Sequence, residues 1–268
     1  MEVVIKYVFR LRQQCVVGAL FLGLLSGGAR GEAGNSIGLG LSLLSFRYAE
    51  FPDDARLRNK ETGILPGVNA ALKLTPGSWR IGLAGSAHGG TVDYDGATTS
   101  FRPHQTRTDT RIFNGMASLG YEFAASELVS LTPYLGAGYR YWKRDILPNR
   151  GVSGLLEEYR WFYGAAGLEL AWKKSERWRF GADVRLIRPV DAKLDVAITP
   201  ATTLELDIQT GYRIGLPIQW SLSHRVGVSV EPYYERQDFG ASLPKNGILE
   251  PASDSHIFGV HLNGRWTF

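Results

Sequence analysis

The sequence contains very little cysteine and few long apolar runs. Its 268 residues include a single cysteine, Cys15, and the one extended apolar stretch lies close to the N-terminus. A helical membrane protein with several spans needs repeated runs of about 20 apolar residues, so that class is excluded. Internal disulfides and cysteine-ligated zinc are excluded as well, because each needs more than one thiol.

Charge of either sign is also limited, whereas aromatic residues and glycine are abundant. The formal net charge is +4, and part of the basic excess lies in the N-terminal segment. We therefore expect no nucleic-acid partner, because such partners require a strongly basic surface. Aromatic residues make up 12% of the chain, and there are 32 glycines. This composition excludes a disordered chain and indicates a strand-rich protein.

Residues 1–33 have the pattern of a secretory signal peptide. Basic residues between positions 6 and 12 precede the apolar run 16–25, and small residues allow cleavage after Gly31 or Ala33. An uncleaved anchor helix is the alternative. Lipid anchoring is not expected, because Cys15 precedes the apolar run and a lipoprotein cysteine would follow it. We predict a cleaved leader at 1–33 and one domain at 34–268.

Ten segments of this domain alternate between apolar and polar residues, as strands with two different surroundings do. In the last segment, Phe258, Val260 and Leu262 fall on one face, and His261 and Asn263 fall on the other. The segments are 37–43, 68–74, 79–88, 113–123, 131–141, 162–172, 178–186, 206–220, 226–235 and 257–268. In segment 206–220 the pattern assigns Leu206 and Ile214 to the apolar face, and Asp207 and Arg213 to the polar face.

The segment lengths and connections predict an all-β fold, a transmembrane antiparallel up-and-down barrel of ten strands. Segments of about 9–13 residues match tilted transmembrane strands. Short connections alternate with long ones, which are predicted at 49–62, 90–108, 143–157, 189–202 and 238–255. Bacterial barrels have short periplasmic turns and longer external loops. Eight strands is the alternative, if the first segment or 191–203 is misread. Residues 191–206 are expected to form a projecting hairpin with exposed edges.

Two stretches carry a resemblance to a known group of proteins. The sequence TPYLGAGYRYW at 132–142 and the terminal GRWTF at 264–268 resemble bacterial outer-membrane β-barrel proteins, including the opacity-type and small OmpA-like barrels. The resemblance implies an outer-membrane location in a Gram-negative cell, after export by the leader. It also implies that Trp266 and Phe268 form the signal read by the barrel-assembly machinery, and it does not specify an activity.

The inward-facing residues of the predicted barrel include charges of both signs. Buried charges must pair, because an unpaired charge in a dry interior costs several kcal/mol. We therefore expect an ion network that closes the lumen, and a narrow passive pore for small solutes is the alternative. Its predicted members are Arg80, Glu122, Arg140, Glu169, Arg179, Asp183, Arg185, Asp207, Arg213, Glu231 and Arg265.

Catalytic signals in the sequence are weak, and we predict that the chain is not an enzyme. Ser86 and His88 share a face, and Asp93 and Asp95 follow, which is the composition of a Ser–His–Asp site. The ten-strand count also resembles the omptin proteases, which use an Asp–His pair and an Asp pair. Asp93 and Asp95 could mimic the Asp pair, but the one Asp-x-His, which ends at His256, precedes the last strand and is not at the omptin location. A rim enzyme acting on lipid A or peptides is therefore kept as an alternative. No cofactor and no metal site are predicted.

Basic residues near the predicted outer rim suggest a contact with lipopolysaccharide. Arginine pairs bidentately with phosphate, which lipid A carries. The residues are Arg102, Arg107, Arg111, Lys143 and Arg144, and ordinary solvated loops are the alternative. The predicted role is structural or surface interaction, such as envelope integrity or adhesion. The expected partners are outer-membrane lipid, lipopolysaccharide, and a host or envelope protein that contacts the loops.

Overall fold

The computed structural model describes residues 34–98 and 100–268, so the predicted leader lies outside the described residues. One short 3-10 helix covers Ala55–Leu57, and every other regular element is a strand. The strands are β1 (Ser36–Phe51), β2 (Lys60–Leu74), β3 (Trp79–Ala97), β4 (Pro103–Tyr121), β5 (Phe123–Ala124), β6 (Val129–Ile146), β7 (Leu155–Lys173), β8 (Trp178–Val196), β9 (Thr202–Glu205), β10 (Asp207–Ile208), β11 (Gly211–Gly215), β12 (Ile218–Ser221), β13 (Val226–Gly240) and β14 (Ala252–Thr267). In the described part of the chain, no helix has the length and apolar character needed to cross a membrane.

These strands form one closed barrel. Each is antiparallel to its neighbours in the order β1, β2, β3, β4, β6, β7, β8, then β9–β12 as one interrupted strand, then β13 and β14. β14 pairs with β1 along its whole length, from Ser36 opposite Thr267 to Phe51 opposite Ala252, and this pairing closes the sheet. The predictions of an all-β, up-and-down, ten-stranded barrel are confirmed, and the eight-stranded alternative is wrong.

Successive side chains alternate between the outside and the inside of the barrel. In β1, Leu39, Leu41 and Leu43 are exposed on the outer surface, whereas Ser42 is buried inside. Exposed aliphatic and aromatic residues continue this apolar belt around the other strands, for example Leu135 in β6 and Phe258 in β14. A contiguous apolar surface of this extent is typical of a protein that faces lipid.

Toward one end of the barrel the two faces exchange character. In β1, Leu44, Phe46 and Tyr48 point inward and are buried, while Ser45 and Arg47 between them are exposed. Apolar residues inside and polar residues outside are the arrangement expected of a strand surrounded by water. The strands therefore extend beyond the apolar belt at this end.

The extension corrects the predicted strand and loop bounds. The uninterrupted barrel strands run for 15 to 19 residues, longer than the predicted segments. The connections expected to be long shrink to 52–59, 98–102, 147–154, 197–201 and 241–251. We call the end with these connections the outer end, and the end with the turns 75–78, 125–128, 174–177 and 222–225 the inner end.

The interrupted strand β9–β12 departs from the predicted alternation. Leu206 is buried inside and Asp207 is exposed, opposite Gly240 on the outer face. Farther along, Ile214 is exposed and Arg213 points inward. The assignment of Leu206 to the lipid face and of Asp207 to the lumen is wrong, because the break between β10 and β11 changes the phase.

A hairpin is present at the outer end, but the prediction that it projects with exposed edges is wrong for its first strand, because Lys193–Val196 also pair with residues 157–160 of β7. Residues Thr202–Glu205 of β9 pair antiparallel with Lys193–Val196 of β8. A register shift between β7 and β8 at Arg160/Phe162 precedes it, and Asp191 has a positive φ of 54° there. This β-bulge reverses which residues of β8 face inward, so that Leu194 joins the buried interior.

Candidate functional site

The interior of the barrel is filled in three layers, and the layer at the inner end consists of ion pairs. Lys73 Nζ lies 3.0 Å from Glu169 Oε1, and Arg80 Nε donates to Glu122 Oε2 over 3.1 Å. The Lys73 and Glu169 side chains are 41% and 32% exposed. Water therefore reaches this layer and weakens its ion pairs.

Two further predicted lumen residues lie in the same layer. Arg265 Nη1 donates to Gln219 Oε1 over 3.0 Å, and Arg179 lies opposite Gln219 in the β8–β12 register. Among the residues that the structure describes, neither arginine has a carboxylate partner.

The middle layer is a network of charged and phenolic groups. Arg140 Nη1 lies 2.5 Å from Glu235 Oε1, and Arg213 Nη2 lies 2.8 Å from Glu231 Oε1. Both arginines are mostly buried, so these pairs cross a lumen with little room for water.

Tyr134 joins a carboxylate and a guanidinium in the same layer. Its hydroxyl donates to Asp183 Oδ2 over 2.6 Å and accepts from Arg185 Nε over 2.9 Å. Arg185 also pairs with Asp183 over 3.2 Å. The structure thus pairs most of the predicted lumen residues with one another, with Asp207 outside the lumen.

The outer layer combines an apolar cluster with one buried arginine. Trp142 stacks on Tyr159, with ring centroids 4.6 Å apart, and meets Tyr48 edge-on at 4.9 Å. The buried cluster also contains Leu44, Phe46, Leu65, Val92, Ile112, Trp161, Ile187, Leu194, Leu204, Leu206, Phe239 and Ile257. Residues from nearly every barrel strand meet here and fill the interior at the outer end.

Arg144 lies in this layer with no exposed side-chain surface. Its guanidinium lies 3.1 Å from Glu50 Oε1, 3.0 Å from Glu61 Oε1 and 2.7 Å from Glu157 Oε2. It also donates to the Tyr159 hydroxyl over 3.0 Å. Burial of this kind is tolerated because several carboxylates and hydrogen bonds replace the water that the arginine has lost.

The carboxylates around Arg144 outnumber it. Glu61 Oε2 and Thr110 Oγ1 are buried and have no hydrogen-bond partner among the described residues. A fourth carboxyl, Glu250, accepts from Tyr48 Oη over 2.9 Å and from Tyr159 Oη over 2.7 Å. Burial raises the pKa of Glu250 well above its ordinary range, and the nearby carboxylates raise it further.

The predicted Ser–His–Asp combination is not assembled. Ser86 and His88 point into the barrel, and His88 Nε2 lies 2.7 Å from Ser42 Oγ instead. Asp93 and Asp95 are exposed on the opposite, outward face of β3. A strand places residues of odd spacing on opposite faces, so neither aspartate can orient His88. The pairing of His88 with Ser42 joins residues far apart in sequence and was not predicted.

The Asp-x-His candidate lies on the outward face of β14. His256 Nε2 lies 3.3 Å from Asp254 Oδ2, and His256 Nδ1 lies 2.6 Å from the Tyr234 hydroxyl. Arg236 lies 4.0 Å from Asp254. Both ring nitrogens of His256 are thus engaged by neighbours. Within the described residues, no group of three or more His, Cys, Asp or Glu could hold a metal ion.

The basic residues predicted to contact lipopolysaccharide are divided between the two faces. Arg107, Arg111 and Arg102 are exposed, and Lys143 lies on the outward face opposite Arg111. Arg144 is the exception, because it is enclosed by carboxylates inside the barrel. This placement excludes Arg144 from the predicted contact. Trp266 and Phe268, the implied assembly signal, are exposed and their rings are neighbours.

Sequence reasoning missed the carboxylate cluster. Its members Glu50, Glu61 and Glu250 lie in stretches that were assigned to external loops. The run Glu157, Tyr159, Trp161, Tyr163 carried a usable signal, because it alternates with period two ahead of the predicted strand. Only the pairing of strands, however, brings these residues together across the barrel.

The fold is similar to that of outer-membrane β-barrels of known structure. No protein-family profile matches the chain, and no curated protein matches it significantly. The outer membrane protease OmpT of Escherichia coli is 11% identical, with 87% of this chain and 96% of that chain covered and a TM-score of 0.62. OprG of Pseudomonas aeruginosa is 11% identical, with 88% and 96% covered and a TM-score of 0.44. The toluene transporter TbuX of Ralstonia pickettii is 10% identical, with 89% and 90% covered and a TM-score of 0.41.

The identity to all three proteins is low, so the likeness concerns the fold and not the activity. The score of the OmpT match is high enough to establish that the two chains fold alike. The chain therefore shares the fold of this outer-membrane β-barrel.

Proposed function

We propose that the protein is an integral outer-membrane barrel whose lumen is closed and which acts through its outer end, in surface interaction or envelope integrity. One observation carries this proposal. The apolar cluster and Arg144 fill the interior at the outer end, so solutes have no open path there. A barrel of ten strands is narrow enough for its own side chains to fill it.

The outward surface supports the proposed location. Exposed apolar residues form a belt, and aromatic residues such as Trp79, Trp172 and Trp178 lie at its inner edge. Trp and Tyr favour the boundary between lipid and water. The strand extensions beyond the belt would then stand above the outer leaflet, with polar residues facing water.

Labelling of intact cells tests location and orientation together. The chain has one cysteine, Cys15, which the predicted cleavage removes. Asn149→Cys places a thiol in a connection at the outer end, and Ser175→Cys places one in a turn at the inner end. We expect a membrane-impermeant maleimide to label only Asn149→Cys in intact Gram-negative cells, and both variants after lysis. Labelling of Ser175→Cys alone would reverse the orientation, and labelling of neither in lysed outer membranes would contradict the location.

We also propose that the outward basic residues of β4 and β6 contact lipopolysaccharide. Arg107 and Arg111 are four residues apart and lie on the same face of β4, and Lys143 of β6 lies opposite Arg111. Phe113 and Tyr141 lie directly below on the apolar belt. Cations above an aromatic row match the phosphates and acyl chains of lipid A.

Co-purification tests this contact. Arg107→Glu combined with Arg111→Glu should lower the amount of lipopolysaccharide that co-purifies with the folded barrel. Arg177→Glu, an exposed substitution at the inner end, is the matched control and should leave it unchanged. Unchanged co-purification in the double variant would contradict the contact.

A further inference from the structure

The connection 241–251 is a compact loop that closes on itself. The Ser242 amide donates to the Glu250 carbonyl over 2.9 Å, and the Glu250 amide donates to Ser242 Oγ over 3.0 Å. At the tip, the backbones of Lys245 and Ile248 exchange two hydrogen bonds. These few bonds close the loop on itself, but they do not protect its amides from water once the loop leaves the barrel.

Few contacts attach this loop to the barrel. Lys245 Nζ donates to the Thr203 carbonyl over 3.0 Å, and Asn246 Nδ2 donates to Thr202 Oγ1 over 2.9 Å. The Lys245 bond is exposed, so water competes for its groups, and the Asn246 bond is partly buried. Ile248 packs against the apolar cluster. Among the described residues, the deeply buried polar attachment is the Glu250 carboxyl, and Glu250 is 5% exposed.

The surroundings of that carboxyl hold more negative than positive charge. The groups that face it are Tyr48 and Glu50 from β1, Arg144 from β6, and Glu157 and Tyr159 from β7. Glu61 from β2 lies on the far side of Arg144. The guanidinium already binds three carboxylates, and in the described part of the chain the side chains that donate to Glu250 are two phenols. An ionised Glu250 would be a fourth buried negative charge beside one arginine.

We propose that a proton on Glu250 latches the connection 241–251 onto the outer end of the barrel, and that ionisation of Glu250 releases it. The released loop exposes its own residues and uncovers the aromatic cluster around Tyr48 and Tyr159. This is a pH-controlled change in the surface that the protein presents. It goes beyond the proposed function, since a closed barrel needs no such latch.

The direction of the pH dependence follows from proton linkage. A released Glu250 is solvated and ionises near the ordinary value of 4.5, whereas the docked carboxyl keeps its proton. Docking therefore takes up one proton. The docked fraction falls by up to about tenfold per pH unit above the ordinary carboxyl range, until the docked carboxyl itself ionises.

Hydrogen–deuterium exchange of the folded protein in detergent tests the latch. The amides of Ser242, Lys245, Ile248 and Glu250 report docking, and protection factors correct for the intrinsic pH dependence of exchange. Between about pH 5 and about pH 9 we expect the protection of 241–251 to fall by at least about tenfold in the wild type. Protection in β6 and β7 should stay constant over this range.

Two variants test whether Glu250 causes the pH-dependent loss of protection in 241–251. Glu250→Gln keeps an acceptor for both phenols and cannot ionise, so its loop should stay protected at every pH. Glu205→Gln removes an exposed carboxyl at the same end and should behave as the wild type. A constant protection factor in the wild type overturns the latch, and it does so even if Glu250→Gln fails to fold. An equal fall in Glu250→Gln overturns it as well. Neither result bears on the proposed membrane location, which the labelling experiment tests separately.

Discussion

At the inner end of the barrel the interior holds ion pairs that water can reach, whereas at the outer end it holds aromatic rings packed around one fully buried arginine. Lys73 and Glu169 represent the first arrangement, and Arg144 with Glu61 represents the second, in which neither side chain is exposed. The same sheet thus changes from a polar lumen inside an apolar belt to an apolar interior inside a polar surface. The difference supports the proposed closure of the barrel at the outer end.

The comparison predicts that the largest loss of stability comes from removing Arg144. Arg144→Met leaves three buried carboxylates without their cation, and breaking a buried pair in this way costs about 3–5 kcal/mol. The free energy of unfolding, measured by urea titration of the detergent-folded protein, should fall by that amount. Arg177→Met, at an exposed position, should change it by less than about 0.5 kcal/mol. Similar losses of unfolding free energy in Arg144→Met and Arg177→Met would contradict the view that the outer end holds a dry, buried ion cluster.

A second variant tests whether the outer end is a packed core. Leu194 is fully buried in the apolar cluster, so Leu194→Ala should cost about 2–5 kcal/mol through lost burial and the remaining cavity. Leu243→Ala is the control, because Leu243 is 85% exposed in the connection 241–251. The same urea titration compares them, and an equal, small effect at both positions would mean that the cluster is loosely packed.

The hydroxyl of Tyr159 connects the arginine to the loop. It accepts from Arg144 and donates to Glu250, so Tyr159→Phe leaves buried partners unsatisfied and should cost about 1–3 kcal/mol. Tyr139→Phe removes a hydroxyl from an exposed ring and should have little effect. Thermal unfolding, followed by the gel mobility of the heated and unheated barrel, provides the measurement. An unfolding temperature that is unchanged by Tyr159→Phe would mean that water, and not this hydroxyl, connects Arg144 with Glu250.

The smallest effect is expected at the inner end. Lys73→Met removes one partner of a partly exposed pair, and such pairs contribute about 0–1 kcal/mol. Salt should reduce even this difference, since it screens exposed charges. Urea titration at low and high salt measures both values. A loss as large as that of Arg144→Met would show that the inner end is as dry as the outer end.

Much of the architecture could be predicted, because the apolar belt imposes a period of two on each strand. The belt residues of β1 and β14 alternate without interruption, and this pattern gave the strand number. The ion pairs of Arg80 with Glu122 and of Arg213 with Glu231 lie among residues predicted to face inward. Burial of charge requires such pairs, so their existence follows from the pattern even though their partners do not.

The rest could not be predicted for two physical reasons. Above the belt the apolar face turns inward, so residues such as Phe46 and Leu65 no longer mark a lipid-facing strand. A bulge at Asp191 and the break before Gly211 also change the phase of two strands, and one residue of shift exchanges inside and outside. The site around Arg144 depends on the first effect, because its partners Glu50, Glu61 and Glu157 lie on the parts of the strands above the belt.

Single-channel recording tests the closure of the outer end most directly. The purified, folded protein is inserted into planar lipid bilayers at neutral pH, with detergent alone as the blank. If the outer end is closed, correctly folded barrels, identified by their resistance to unfolding in unheated gel samples, will produce no conductance steps. Stable, ion-selective steps from the wild-type protein would contradict a closed outer end and make the charged residues of the lumen the lining of a pore.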